Sequence, residues 1–122
     1  MLPEEKNVFV VEDDTSVSRA IERLLNAAGF HAVIFPSAEA LLAHSGVTPA
    51  CMVLDICLPG LSGFGLQQRF ASSGVKPPVI FITAQDKAAN RRRAGEAGAV
   101  AYLAKPFLGQ DLVAAVAMAL GS

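Results

Sequence analysis

Apolar runs of this sequence end in polar side chains that can do chemistry. Glu12 and Asp13 follow the first run, Asp55 closes another, and Thr83 and Lys105 follow two more. A charge is not tolerated at the end of a buried apolar run unless it has a partner. One such residue is weak evidence, but the same arrangement at four runs predicts that acids, a hydroxyl and an amine act together.

Carboxylates that converge repel one another, and a divalent cation relieves the repulsion at neutral pH. Oxygen ligands without a nearby His or Cys pair favour a hard ion, Mg²⁺ before Ca²⁺ or Zn²⁺. Such an ion keeps positions for phosphate oxygens, which a lysine and a hydroxyl also bind. One carboxylate then serves as the nucleophile. Asp55 is the best candidate, because it stands alone on the central strand while Glu12 and Asp13 are paired.

The elements that must position these residues are predicted from hydrophobic periodicity. Apolar runs predict strands at 7–11, 31–35, 50–55, 78–82 and 100–104. Helical spacing predicts helices from a cap at Asp14 or Thr15 to Gly29, from Ser37 over 40–42, over 64–71, from Asp86 to about Ala97, and over about 109–120. Strand, crossover helix and next strand imply a parallel sheet with helices on both faces. Ligands bind outside the carboxyl ends of such strands, where the polar residues lie.

Several segments together resemble the receiver domain of two-component response regulators. They are VVEDD at 10–14, VLD at 53–55 with LPGLSG at 58–63, VIFITA at 79–84, and GA through YLAKPF at 98–107. Because they span nearly the whole chain in order, the set is far more specific than a single short motif. The resemblance implies an α/β fold with a five-stranded parallel sheet, a doubly wound (βα)5 of flavodoxin-like topology, as a single domain over residues 1–122.

The resemblance also implies how the acidic residues act. Asp55 is the phosphoacceptor, which takes a phosphoryl group from a histidine kinase's phosphohistidine or from a phosphotransfer protein. Asp13 and Asp55 ligate Mg²⁺ with their side chains, and the backbone carbonyl of Cys57 is the third protein ligand. Glu12 acts through a metal-bound water.

Other roles follow from the same resemblance. Thr83 hydrogen-bonds the phosphoryl group and is drawn toward it. Lys105 contacts the phosphate and, before phosphorylation, the Asp55 carboxylate, and the Lys105–Pro106 peptide resembles one that is usually cis. Tyr102 matches an aromatic switch position, whose ring turns inward as Thr83 moves and so changes the face made by the fourth helix, the fifth strand and the last helix.

The resemblance implies a cytoplasmic signalling switch that catalyses its own phosphorylation and dephosphorylation with Mg²⁺ and is not otherwise an enzyme. One alternative is a receiver-like module that binds proteins without being phosphorylated. The other is a Mg²⁺-dependent phosphatase with an aspartate nucleophile. Such phosphatases use an Asp-x-Asp arrangement, whereas Cys57 stands two residues after Asp55.

The expected partners are a histidine kinase or phosphotransfer protein and an output domain or effector protein. The sequence ends soon after the last predicted helix, so we expect a stand-alone regulator or the receiver part of a longer protein, such as a transcriptional regulator. That helix carries almost no charge, which predicts a homodimer contact promoted by phosphorylation.

Composition excludes other classes of function. The chain of 122 residues is 52% hydrophobic with a net charge of −1, which argues against bulk binding to nucleic acid or an anionic membrane. No apolar run reaches the roughly 18 residues that a membrane span needs. The run Arg91-Arg92-Arg93 is expected to be a solvated helix face rather than a direct nucleic-acid contact. Cys51 and Cys57 match no metal or redox spacing and are expected to be small buried residues.

Overall fold

The computed structural model describes residues 7–44, 48–74 and 76–121. Strands and helices alternate along these residues, as the sequence predicts. The elements are β1 (Asn7–Val11), α1 (Thr15–Ala27), β2 (His31–Phe35), α2 (Ala38–Ala43), β3 (Cys51–Asp55), α3 (Gly63–Ser72), β4 (Val79–Thr83), α4 (Ala88–Glu96), β5 (Ala101–Ala104) and α5 (Gly109–Ala119). Within the described ranges, no helix is both long and apolar enough to cross a bilayer.

The strands form one parallel sheet in the order β2-β1-β3-β4-β5. This order confirms the predicted doubly wound α/β fold of flavodoxin-like topology. The chain leaves β1 toward one edge of the sheet and then returns to the other side of β1, so β1 and β3 are neighbours at the point where the strand order reverses. Ligands bind in the crevice at such a point. Val11 pairs with Leu54 and Thr83 pairs with Ala104, so the carboxyl ends of neighbouring strands lie at the same level.

Apolar side chains cover both faces of the sheet. Alternate residues of β1 point to opposite faces, with Phe9 in one buried cluster and Val10 in the other. The first cluster includes Leu41, Phe64, Leu66 and Ala94 of the helices, and the second includes Ile21, Leu25, Leu112 and Val116. Because helices bury both faces, the carboxyl ends of the strands are the part of the sheet where polar side chains can gather.

The start of α4 differs from the prediction. Asp86 was expected to open this helix, but the helix begins at Ala88 after Lys87, which makes no capping side-chain hydrogen bond. The Asp86 carboxylate is occupied elsewhere, because it accepts hydrogen bonds from Arg91 and Tyr102. An acid near a helix start can therefore serve a tertiary contact instead of a cap.

Candidate functional site

Three carboxylates gather at the carboxyl ends of β1 and β3. Glu12 and Asp13 directly follow β1, and Asp55 is the last residue of β3. Each contributes an oxygen, and these oxygens all lie within 4.8 Å of one another. Glu12 and Asp55 are buried, with exposed fractions of 2% and 4%, whereas Asp13 is exposed. The parallel sheet thus brings together acids that are more than forty residues apart in sequence.

Lys105, directly after β5, reaches two of these acids. Its Nζ donates a hydrogen bond of 3.0 Å to Oδ2 of Asp55 and one of 2.6 Å to Oε1 of Glu12. The Lys105–Pro106 peptide is cis, as the resemblance implied. The contact with Asp55 matches the expectation for Lys105, but the sequence analysis missed the contact with Glu12. The contact with Glu12 could have been predicted from the strand order, because β1 and β3 are neighbours and one ammonium can reach both of their ends.

The buried acids and the lysine alter one another's proton affinity. Burial raises the pKa of Glu12 to about 7, although hydrogen bonds from Lys105 and from the backbone N–H of Asp14 work against the increase. Burial alone would lower the pKa of Lys105, but its hydrogen bonds and charge attraction to Glu12 and Asp55 outweigh burial and raise that pKa. The lysine therefore stays protonated, and Glu12 takes up a proton more readily than a carboxyl group in water does.

The donor set fits a hard divalent cation. The negative charge of three carboxylates this close together exceeds the positive charge of Lys105, which contacts two of them. Because Asp13 is exposed, the cluster is open to solvent. Oxygen donors of this kind suit Mg²⁺, which keeps part of its water shell when few carboxylates bind it. The backbone N–H of Cys57 donates to Oδ1 of Asp55 at 3.0 Å, so the start of the loop after β3 is fixed to the same carboxylate.

Thr83 and Cys57 lie next to each other beside the acids. Thr83 is fully buried, and its Oγ1 accepts a hydrogen bond of 2.9 Å from the backbone N–H of Gln85. The Sγ of Cys57 lies 3.7 Å from this Oγ1. The prediction that both cysteines are buried is right for Cys51 and wrong for Cys57, which is exposed. Cys57 stands between Ile56 and Leu58, which are buried in the first apolar cluster, and its own side chain lies on the exposed side of the loop beside Thr83.

Tyr102 lies on β5 and is half-buried, with its hydroxyl directed to α4 and the loop before it. The hydroxyl donates to Oδ1 of Asp86 at 3.2 Å, and the Arg91 guanidinium stacks over the Tyr102 ring at 4.8 Å from its centre. Arg93 stacks over the Phe64 ring at 4.5 Å. All three arginines of the run are exposed, as expected for a solvated face, and Arg91 and Arg93 in addition stack on aromatic rings.

The raised pKa of Glu12 predicts a specific pH dependence of stability. The folded state holds the Glu12 proton more tightly than the unfolded state does, so the protonated Glu12 contributes to the free energy of unfolding. This contribution is complete below about pH 4.5 and is lost as pH rises through about 7. Without divalent metal, the free energy of unfolding of the wild-type protein should fall between about pH 5 and pH 8 by about 2 kcal/mol more than that of Glu12→Gln. Denaturant unfolding at both pH values measures this difference.

The matched control for this experiment is Glu96→Gln, which removes an exposed acid from the end of α4. The control should retain the pH dependence of the wild-type protein. If Glu12→Gln and the wild-type protein lost stability in parallel as pH rises, the Glu12 carboxyl would not be the group that titrates.

Comparison with known proteins agrees with the fold. The family model of the response regulator receiver domain matches residues 8–117. Nodulation protein W of Bradyrhizobium diazoefficiens is 43% identical over 114 residues, which cover 92% of this chain and 50% of that protein. The transcriptional regulatory protein TdiR of Thauera aromatica is 40% identical over 93% of this chain and 50% of its own length. The chain thus spans about half the length of these relatives.

Solved structures give the same result. The response regulator StyR superimposes with a TM-score of 0.86 at 39% identity, covering 94% of this chain and 59% of that one. A response regulator receiver protein from Burkholderia phymatum gives a TM-score of 0.82 at 44% identity, covering 94% of both chains. The doubly wound sheet and these matches together define the class of protein as a receiver domain of two-component response regulators. This chain belongs to the response regulator receiver domain family.

Proposed function

We propose that this chain is a phosphorylation-activated switch of a two-component phosphorelay, and that Asp55 accepts the phosphoryl group from a phosphohistidine donor. The observation that carries the proposal is the position of the Asp55 carboxylate. It is buried beside two further acids, and Lys105 donates to it at 3.0 Å. A nucleophilic carboxylate next to a cation site and an ammonium is suited to phosphoryl transfer.

In the transfer, an oxygen of Asp55 forms a bond to phosphorus while the bond between phosphorus and the donor's imidazole nitrogen breaks. The electron pair of that bond returns to the imidazole. We propose that the carboxylates of Asp13 and Asp55 and the backbone carbonyl of Cys57 hold Mg²⁺, with Glu12 acting through a bound water. The metal, when present, neutralises charge on the transferring oxygens. Lys105 then provides a second positive charge for these oxygens.

The proposed response begins at Thr83. Its hydroxyl now accepts a hydrogen bond from the N–H of Gln85, so a move toward a phosphoryl group on Asp55 has to weaken that bond and shift the loop before α4. Tyr102 on β5 contacts the same loop through Asp86. We therefore propose that phosphorylation changes the face formed by α4, β5 and α5, as a shift between two populations.

Incubation with Mg²⁺ and acetyl phosphate tests the proposal. Intact-mass spectrometry is expected to show a gain of one phosphoryl group in the wild-type protein and no gain in Asp55→Asn. The variant retains the size of the side chain but lacks the nucleophilic oxygen pair. Removal of divalent metal with a chelator should suppress the gain in the wild-type protein.

The same experiment separates the two alternatives. A module that only binds proteins would gain no mass with Mg²⁺ present. A phosphatase with an aspartate nucleophile would turn over a generic phosphoester without accumulating the acyl phosphate. A mass gain that persists in Asp55→Asn would assign the phosphoacceptor to another residue and would contradict the proposal.

The proposed partners are a histidine kinase or phosphotransfer protein as donor and an output domain or effector protein as target, acting in the cytoplasm. Because the matched residues cover only 50% of the transcriptional regulatory protein TdiR, we propose that the chain is the receiver part of such a regulator. We also propose dimerisation through α5, where Met118 is 67% exposed on a helix with little charge. Equal sedimentation of the phosphorylated and unphosphorylated forms would contradict dimerisation promoted by phosphorylation.

A further inference from the structure

We propose that Asp86 and Arg91 are positioning residues that hold Tyr102 in the arrangement described here and oppose the activated one. The three residues are called the Asp86 cluster below. The inference rests on the proposed function, because it concerns how readily the site near Asp55 accepts a phosphoryl group. It adds two residues that make no contact with the acids or with Lys105 among the described residues.

The geometry of the Asp86 cluster fixes the Tyr102 side chain at two points. Arg91 binds Asp86 with two nearly parallel hydrogen bonds, Nε to Oδ1 at 2.7 Å and Nη2 to Oδ2 at 2.8 Å. The Tyr102 hydroxyl donates to the same Oδ1, while the guanidinium lies over its ring. Paired hydrogen bonds between a guanidinium and a carboxylate are directional, so the ion pair orients both groups that contact the ring.

The same segment is connected to Thr83. Gln85 donates its N–H to Thr83 Oγ1 at 2.9 Å, and its carbonyl accepts a hydrogen bond of 2.8 Å from Nδ2 of Asn90 in α4. Asp86 is the next residue, and its side chain is held by Arg91 from the same helix. The loop between β4 and α4 is thus attached to α4 at two consecutive residues, and it contacts Thr83 at one end and Tyr102 at the other.

These connections give the direction of the effect. A move of Thr83 toward a phosphoryl group pulls on Gln85, and the Asp86 cluster resists the resulting displacement of the loop. Any interaction made in one arrangement and lost in the other shifts the equilibrium by its own free energy, and this shift appears in the affinity for the activating ligand. Removal of the Asp86–Arg91 pair should therefore favour the activated arrangement.

Beryllium fluoride with Mg²⁺ is the probe, because it binds to an aspartate carboxylate as a stable mimic of a phosphoryl group. Tyr102 is the one tyrosine of a chain without tryptophan, so intrinsic tyrosine fluorescence observes the switch residue directly. Titration of the wild-type protein, Arg91→Gln and Asp86→Asn is expected to show half-saturation at about threefold lower beryllium fluoride concentration in both variants.

Matched controls come from the same helix. Arg92→Gln makes the same change of charge at an exposed position outside the cluster, and Glu96→Gln does so for Asp86→Asn. Both controls should bind beryllium fluoride like the wild-type protein. Arg91→Lys keeps the charge without the paired hydrogen bonds, so it should fall between the wild-type protein and Arg91→Gln.

A double variant shows whether the two residues act as one unit. If they do, Asp86→Asn combined with Arg91→Gln has the affinity of either single variant, instead of the product of the two changes.

In addition, Asp86→Asn should lower the pKa of Tyr102 in an absorbance titration of the phenol. Burial and then the hydrogen bond and charge of Asp86 raise that pKa, and the variant removes the charge.

The outcomes separate this inference from the proposed function. Tighter binding in both variants, with unchanged controls and a non-additive double variant, supports the inference. If the wild-type protein binds beryllium fluoride and the cluster variants bind it equally or more weakly, the inference fails and the proposed function stands. If the wild-type protein does not bind it at all, both fail.

Discussion

Replacement of Lys105 with methionine is expected to lower the free energy of unfolding by about 2–4 kcal/mol at pH 8 without divalent metal. The Lys105 ammonium is the described positive charge that contacts Glu12 and Asp55, whose side chains are 1% and 5% exposed. Its removal leaves two buried carboxylates without their cation, and this costs more than the loss of an exposed ion pair. Denaturant unfolding of the variant and the wild-type protein measures the difference.

Two comparisons test this explanation of the Lys105 effect. Lys87→Met removes an exposed lysine and should leave stability nearly unchanged. The deficit of Lys105→Met should shrink when pH falls toward 5, because Glu12 then takes up a proton, and when Mg²⁺ supplies the missing positive charge. A Lys105→Met protein as stable as the wild type at pH 8, in the presence of a chelator, would show that the buried acids do not depend on this lysine.

Replacement of Gly63 with alanine is expected to lower the free energy of unfolding by about 1–3 kcal/mol and to slow phosphorylation of Asp55. A Cβ at Gly63 would lie 2.4 Å from the backbone oxygen of Asp55 and 3.2 Å from the Cα of Ile56. These are backbone atoms of the strand end that carries the proposed nucleophile, so the clash is relieved only by moving the site. Denaturant unfolding and the rate of mass gain with acetyl phosphate measure the two effects.

Gly95→Ala is the matched control, and it should change stability in the opposite direction. Gly95 lies within α4, and no described atom comes within 4 Å of the position of an added Cβ. Alanine is the better helix former, so this variant should be more stable by about 0.5–1 kcal/mol. If the two variants changed stability alike, the close approach of α3 to the end of β3 would not explain the need for glycine at position 63.

The sequence was sufficient to predict the strand ends that build the site. Apolar runs are bounded sharply by Glu12, Asp55 and Lys105, and the alternation with helices requires a parallel sheet whose carboxyl ends share one edge. Local patterns and one topological rule are enough to place these strand ends, because no side-chain contact is needed for them. The positions of the acids followed from it, whereas their burial and shared lysine did not.

Contacts between side chains distant in sequence could not be predicted in the same way. Lys105 and Glu12 are 93 positions apart, and nothing in their local sequence indicates that the lysine reaches past Asp55 to a second acid. Asp86 looked like a helix cap because capping is a local pattern, but its contact with Tyr102, 16 positions away, arises from the packing of α4 beside β5. The exposure of Cys57 likewise depends on the path of the loop after β3.

A crystal structure with Mn²⁺ in place of Mg²⁺ shows whether Asp13 and Asp55 share one cation, because anomalous scattering locates the ion without ambiguity. We expect a single strong peak bound by carboxylate oxygens of Asp13 and Asp55 and by the backbone carbonyl of Cys57, at about 2.0–2.3 Å. A peak outside this cluster would contradict the proposed metal site. A structure in which the Asp13 and Asp55 carboxylates stay too far apart to share one cation would contradict it as well.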